Sequence, residues 1–246
     1  MIIPNRSRCG EMVDAEDSKS SLGNMVLVRV RSSVMFEKYF GKKKLVCFDF
    51  DGLLVNTEPL HHKAYNIVLN DLNAPLNLDF STYCEIAHSA NRDLFAQTVK
   101  SAHPDFSYTW EEVRKRKIAL YSQLLQSDPV PLMEGASDLI TKLFEKNIDV
   151  CIVTNSFRND IDAIRKHHPI LESIPKVFTR EDYSLPKPSP DGYLKALQVH
   201  FVDSKDAIGL EDSIKGVHAL KDAHMDYLFI HESHPDSTHS TLKAFL

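Results

Sequence analysis

Hydrophobic and polar positions follow two regimes along this chain. In the first, short apolar runs without polar alternation end abruptly: Leu45-Val46-Cys47-Phe48, Val150-Cys151-Ile152-Val153, Val177-Phe178, Ala207-Ile208-Gly209-Leu210 and Tyr227 to Ile230. Runs of this kind predict strands buried on both faces, as in parallel sheets. Helical periodicity separates them. Leu139, Ile140, Leu143 and Phe144 share a face after Gly135, and further helices are expected over about 159–167, 192–200 and 213–223. Strands alternating with helices predict right-handed crossovers and an α/β fold, a doubly wound parallel sheet.

The second regime starts at Asn56-Thr57-Glu58-Pro59, where Thr57 is expected to cap a helix carrying Pro59 in its first turn. From there to about Gln126 every pattern is helical. Ala64, Ile67 and Val68 share one face, Leu94, Phe95 and Val99 another, and Val113, Leu120, Tyr121 and Leu124 a third. The expected organisation is a core domain of residues 41–62 and 132–246 with an all-helical domain, 63–131, inserted into it. Residues 1–40 form an amino-terminal extension in this reading. Its first 24 residues lack apolar pattern and are expected to be disordered, while Met25 to Val30 offers an edge strand.

Composition narrows the class without naming it. A hydrophobic fraction of 43% and a charged fraction of 26% suit a soluble globular protein. A formal net charge of -5, with no dense basic stripe, argues against a nucleic-acid partner. No apolar stretch reaches the length of a membrane span, and no secretory signal opens the chain. The four cysteines have no metal-type spacing, so a reducing cytoplasm is the expected compartment.

The candidate chemistry lies at strand ends, where open α/β sheets carry their sites. The first strand stops at Asp49-Phe50-Asp51-Gly52, two acids whose repulsion calls for a cation or a proton. The second stops at Thr154-Asn155-Ser156 before a helix, an arrangement suited to a phosphate, although Asn155 or Ser156 as a simple helix cap explains it too. Lys187 is flanked by Pro186 and Pro188, which stiffen its backbone. The fourth strand runs into Glu211-Asp212-Ser213, hard oxygen donors suited to Mg²⁺, or charge at a helix start. His231, Glu232, His234, Asp236 and His239 fit no standard metal site and read as a solvated tail.

In this order, Asp-x-Asp-Gly, Thr-Asn-Ser, Lys-Pro and Glu-Asp resemble the four motifs of the haloacid dehalogenase-like hydrolases over about residues 45–232. The helical block after the first motif resembles the cap of beta-phosphoglucomutases and phosphoglycolate phosphatases. The resemblance implies Asp49 as nucleophile, Asp51 as general acid and base, and Thr154, Asn155 and Lys187 as phosphate ligands. It implies Mg²⁺ held by Asp49, the backbone carbonyl of Asp51, and Asp212. It also implies that His61, Arg92 and Lys117 touch substrate from the cap, with His62 as the alternative inward histidine. Departures stand at Asn56, Pro186 and His88-Ser89-Ala90-Asn91-Arg92. The expected activity is a Mg²⁺-dependent phosphatase acting on a small phosphate monoester as a monomer, the alternative a phosphomutase sharing the aspartyl-phosphate.

Overall fold

A computed structural model describes residues 34–87, 93–231 and 236–246. Five strands, β1 (Leu45–Phe48), β2 (Asp149–Val153), β3 (Lys176–Phe178), β4 (Ala207–Glu211) and β5 (Asp226–Phe229), form one sheet in the order β3-β2-β1-β4-β5. Every pairing is parallel. Central β1 is buried at all four positions and pairs with both Asp149 and Ala207 from Leu45, which explains its unbroken apolar sequence.

Helices cover both faces. A helix over residues 34–40 (α1), α6 (Ala136–Glu145), α7 (Arg158–Arg165) and α8 (Pro169–Glu172) lie with the cluster holding Val46, Phe48, Val150 and Ile152. Opposite them α9 (Asp191–His200) and α10 (Ile214–Asp222) pack on Leu45, Cys47, Cys151 and Val153. Alternate β1 residues thus serve opposite layers, and the chain is doubly wound. The strands and helices α7, α9 and α10 fall within one or two residues of those expected, while α8 has no counterpart among the expected elements.

Between β1 and β2 run α2 (Glu58–Asp71), α3 (Phe80–Ala87), α4 (Leu94–Ala102) and α5 (Trp110–Leu124). They share a separate cluster including Val68, Leu69, Tyr83, Phe95, Val99 and Val113. Trp110 lies parallel to Tyr65 at 5.9 Å and stacks on Phe95 at 5.4 Å. Helix α5 starts with a full capping box, Thr109 accepting from the Glu112 backbone while Glu112 accepts from the Thr109 backbone. The insert joins the sheet layer through two adjacent connections: Asn56 N donates to Pro131 O and Met133 N to Leu54 O, at 2.9 Å each.

Three expectations change. Residues 34–40 are helical rather than part of an extension, and Phe36 and Phe40 are fully buried in the main core. Residues 1–33, with the expected disorder and the Met25–Val30 strand, lie outside the described residues. The carboxy-terminal stretch is not a solvated tail. Leu242 and Phe245 are buried, Phe245 meets Phe40 edge-on at 5.4 Å, and Lys142 Nζ donates to the Phe245 carbonyl at 3.0 Å. Its His239 ring packs on Phe245 at 4.8 Å, while Glu232 and His234 lie outside the described residues. Thr57 sits at the start of α2 but makes no capping bond; its hydroxyl is buried without a hydrogen-bond partner among the described residues.

Candidate active site

Because β1 is flanked by β2 on one side and β4 on the other, its carboxyl end is where the strand order reverses, the usual ligand position in such sheets. Asp49 stands there. Its backbone N–H donates to Leu210 O at 3.0 Å, which fixes it against the end of β4. Gly52 turns the chain away with φ of +82°, and a Cβ at that position would lie 2.0 Å from Oδ2 of Asp212. Both the left-handed conformation and the close carboxylate require glycine.

Lys187 completes the centre. Its Nζ lies 2.6 Å from Asp49 Oδ1, 2.6 Å from Glu211 Oε1 and 2.7 Å from the Val153 carbonyl, and the side chain is almost wholly buried. Burial alone would depress a lysine pKa; here the charges of Asp49 and Glu211 outweigh it and the pKa is raised, so the ammonium is retained. The lysine loop is braced by Asn155, whose Oδ1 accepts from Lys187 N at 2.9 Å and from Tyr183 OH at 3.0 Å. Asn155 Nδ2 also donates to the Lys187 carbonyl at 3.3 Å, so its side chain holds both ends of that residue's backbone.

Asp51 faces the end of β2. Ser156 Oγ donates to its Oδ2 at 2.6 Å, and Thr154 Oγ1 does so over a longer 3.4 Å. Burial raises the Asp51 carboxyl above the usual carboxylate range; Ser156 opposes that rise and the Asp49 charge adds to it. A carboxyl holding its proton toward higher pH suits proton exchange with an alkoxide.

Asp49, Glu211 and Asp212 each place a carboxylate oxygen within 4.8 Å of the other two. Burial, then the charges of Asp49 and Glu211, push Asp212 well above the ordinary carboxylate range. A hard divalent cation would relieve this repulsion, and oxygen donors are what Mg²⁺ takes, so the residues present fit that ion.

From the insert, Lys117 Nζ lies 2.6 Å from His61 Nδ1, and the His61 ring stacks on Tyr121 at 4.1 Å. Burial lowers Lys117 to about 8, while the charges of Glu58, Asp51 and Asp160 oppose the fall. Its Nζ also lies 5.2 Å from the Tyr65 ring centroid and 4.9 Å from that of Tyr121. His62 points elsewhere, its Nε2 at 2.9 Å from the Leu78 carbonyl. The structure thus brings together Asp49, Asp51, Thr154, Asn155, Lys187 and Asp212, and pairs His61 with Lys117. Arg92 lies outside the described residues. Sequence reasoning missed the Ser156 hydroxyl, Tyr183 and Tyr193; only Ser156 carried a signal, as the third residue of Thr-Asn-Ser.

The chain matches the family model described as haloacid dehalogenase-like hydrolase over residues 46–230. It belongs to that family, in the branch whose helical insert follows the first motif. It is similar to (DL)-glycerol-3-phosphatase 2 of Arabidopsis thaliana, 29% identical over 200 residues that cover 79% of this chain and 82% of that protein. Hexitol phosphatase B of Escherichia coli is 27% identical over 180 residues, covering 72% and 79% of the two chains. The crystal structure of CbbY from Rhodobacter sphaeroides in complex with phosphate shares the fold at a TM-score of 0.63 and 24% identity, over 80% of this chain and 92% of that one. Among the described residues no helix is long and apolar enough to cross a membrane.

Proposed function

We propose that this hydrolase is a Mg²⁺-dependent phosphatase that cleaves a small polyol or sugar phosphate through an aspartyl-phosphate on Asp49. The observation that carries the reading is Asp49 at the end of central β1, paired at 2.6 Å with the buried ammonium of Lys187, while Asp51 is held separately by Ser156. The phosphatase names of the relatives support hydrolysis over a mutase reaction, and the glycerol and hexitol phosphatases among them support a polyol leaving group.

In this mechanism a carboxylate oxygen of Asp49 attacks phosphorus, and the bond to the substrate oxygen breaks. Asp51 gives its proton to the departing alkoxide, then takes one from the water that attacks the acyl phosphate, which returns Asp49 as carboxylate and releases inorganic phosphate. Lys187 stabilises charge on the transferring phosphoryl oxygens, joined by the Thr154 hydroxyl; Asn155 acts by fixing the lysine loop. Asp49, the Asp51 carbonyl and Asp212 would hold Mg²⁺, whose charge offsets the repulsion between carboxylates and phosphate. Helices α2–α5 act as a cap domain, supplying Lys117 and His61 toward the rest of the substrate, with Arg92 as a further substrate contact by the family resemblance.

The test is a phosphate-ester panel with and without EDTA, run beside Asp49→Asn. Release of inorganic phosphate should need Mg²⁺ and fall by a factor of about 10³ or more in the variant while its fold survives. Turnover indifferent to EDTA, or an active Asp49→Asn protein, would overturn the mechanism; isomerisation of a sugar 1-phosphate without net phosphate release would favour the mutase.

A further inference from the structure

Glu211 belongs to the acid cluster around Asp49, yet its carboxylate is already engaged. Its Oε1 accepts from Tyr193 OH at 2.5 Å and pairs with Lys187 Nζ at 2.6 Å, while Oε2 accepts from Ser213 Oγ at 3.3 Å. These partners come from three places in the chain, α9, the lysine loop and the start of α10, so no single side-chain rotation frees the acid. Helix α10 is notched to receive it: a Cβ at Gly216 would lie 1.9 Å from Glu211 Cδ. Tyr193 is fully buried, and its ring centroid is 5.0 Å from Lys187 Nζ. One side chain therefore touches both members of the ion pair. Asp212, next in sequence, faces the Gly52 turn instead.

We propose that Tyr193 is a positioning residue which, with Lys187, holds Glu211 as the counter-ion of that lysine and keeps it out of the cation's ligand set. Asp49 and Asp212 are then the carboxylates left to the cation, and the motif's two adjacent acids have divided roles. A buried lysine facing Asp49 alone would share its one counter-ion with the incoming phosphoryl group. The Glu211–Tyr193 pair supplies a second, fixed counter-ion and so keeps the ammonium in place when Asp49 becomes phosphorylated. This assignment rests on the phosphatase reading of the site.

The experiment titrates Mg²⁺ into the whole protein by calorimetry and measures steady-state turnover of p-nitrophenyl phosphate, with melting temperature as the fold control. Tyr193→Phe retains the ring and removes only the hydroxyl; kcat should fall about tenfold while Mg²⁺ affinity stays within about threefold of wild type. Glu211→Gln should likewise spare Mg²⁺ affinity and lower kcat, whereas Asp212→Asn should weaken Mg²⁺ by about tenfold or more. Loss of Mg²⁺ affinity in Glu211→Gln equal to that in Asp212→Asn makes Glu211 a ligand and overturns the proposal. So does a Tyr193→Phe protein with a lower melting temperature and unchanged kcat, which reduces the hydroxyl to a packing role. If Glu211→Gln fails to fold, the Tyr193→Phe measurements decide. Wild-type protein that binds Mg²⁺ but hydrolyses no ester overturns the phosphatase reading alone, because the Mg²⁺ titrations still judge the division between Glu211 and Asp212.

Discussion

Ser156 donates its hydroxyl to Oδ2 of Asp51 across 2.6 Å, tying the end of β2 to the second acid beyond β1. The bond does two things for an acid that must both give and take a proton. It fixes the carboxyl in one orientation, and it opposes the upward pull of burial on its pKa. Removing it in Ser156→Ala should leave the carboxyl protonated to higher pH. The base form that activates water then appears later as pH rises, so the acid-side inflection of kcat moves upward, with kcat at neutral pH lower by about tenfold. A pH–rate profile superimposable on wild type would show that Ser156 does not act on Asp51.

Lys117 carries a desolvation cost. Burial lowers its pKa from 10.5 to about 8 in the folded protein. Below the folded value both states are charged, and the folded state bears the full desolvation penalty, on the order of 3 kcal/mol from the linkage relation. Between about 8 and 10.5 the unfolded chain binds the proton more strongly, so the penalty shrinks as pH rises and is gone above that window. Lys117→Met should therefore melt at a higher temperature than wild type at neutral pH, with the gap closing toward pH 10.5. The same variant should raise KM for the best ester, a trade of stability against binding. A variant less stable than wild type at neutral pH would contradict this.

Helix α1 is part of the core. Phe40 is fully buried, with its ring 5.2 Å from Phe36 and 5.4 Å from Phe245. Phe40→Ala should cost about 3–5 kcal/mol in urea unfolding, the usual range for an emptied aromatic site. A loss under about 1 kcal/mol, the size of a surface substitution, would mean that α1 is only loosely attached.

What could be read from the sequence follows from how local the physics is. An apolar run ending at Asp49 announces a central parallel strand, and Asp51, Lys187 and Asp212 each stand at a comparable strand end or stiffened loop. Their convergence needed only the strand order. Helix α1 escaped notice because Phe36, Tyr39 and Phe40 span too few turns for periodicity to separate from a loop. Glu211 and Asp212 are indistinguishable as adjacent acids; only side-chain packing against Tyr193 and the notch at Gly216 turns one inward. The Ser156–Asp51 bond joins residues 105 apart in sequence, a pairing no local pattern encodes. His61 and His62 differ by one helical step of about 100°, and apolar spacing on α2 does not decide between them.

The two rings have different partners. His61 accepts from Lys117 at Nδ1 and stacks on Tyr121, whereas His62 is bound to the Leu78 carbonyl within the insert. If the Lys117–His61 pair grips the leaving group, its contribution should depend on what that group offers. A polyol phosphate presents hydroxyls to the pair; p-nitrophenyl phosphate presents an aromatic ring with an intrinsically good leaving oxygen. His61→Ala should then raise KM for the best polyol phosphate by about tenfold, the worth of a hydrogen bond or two, and change p-nitrophenyl phosphate turnover by about twofold or less. His62→Ala should affect both substrates equally, through packing of α2 on α3. Steady-state kinetics on the two substrates separate the cases. Equal losses in His61→Ala would place the damage at Asp49 and Asp51, and no loss on either would remove the pair from the substrate surface.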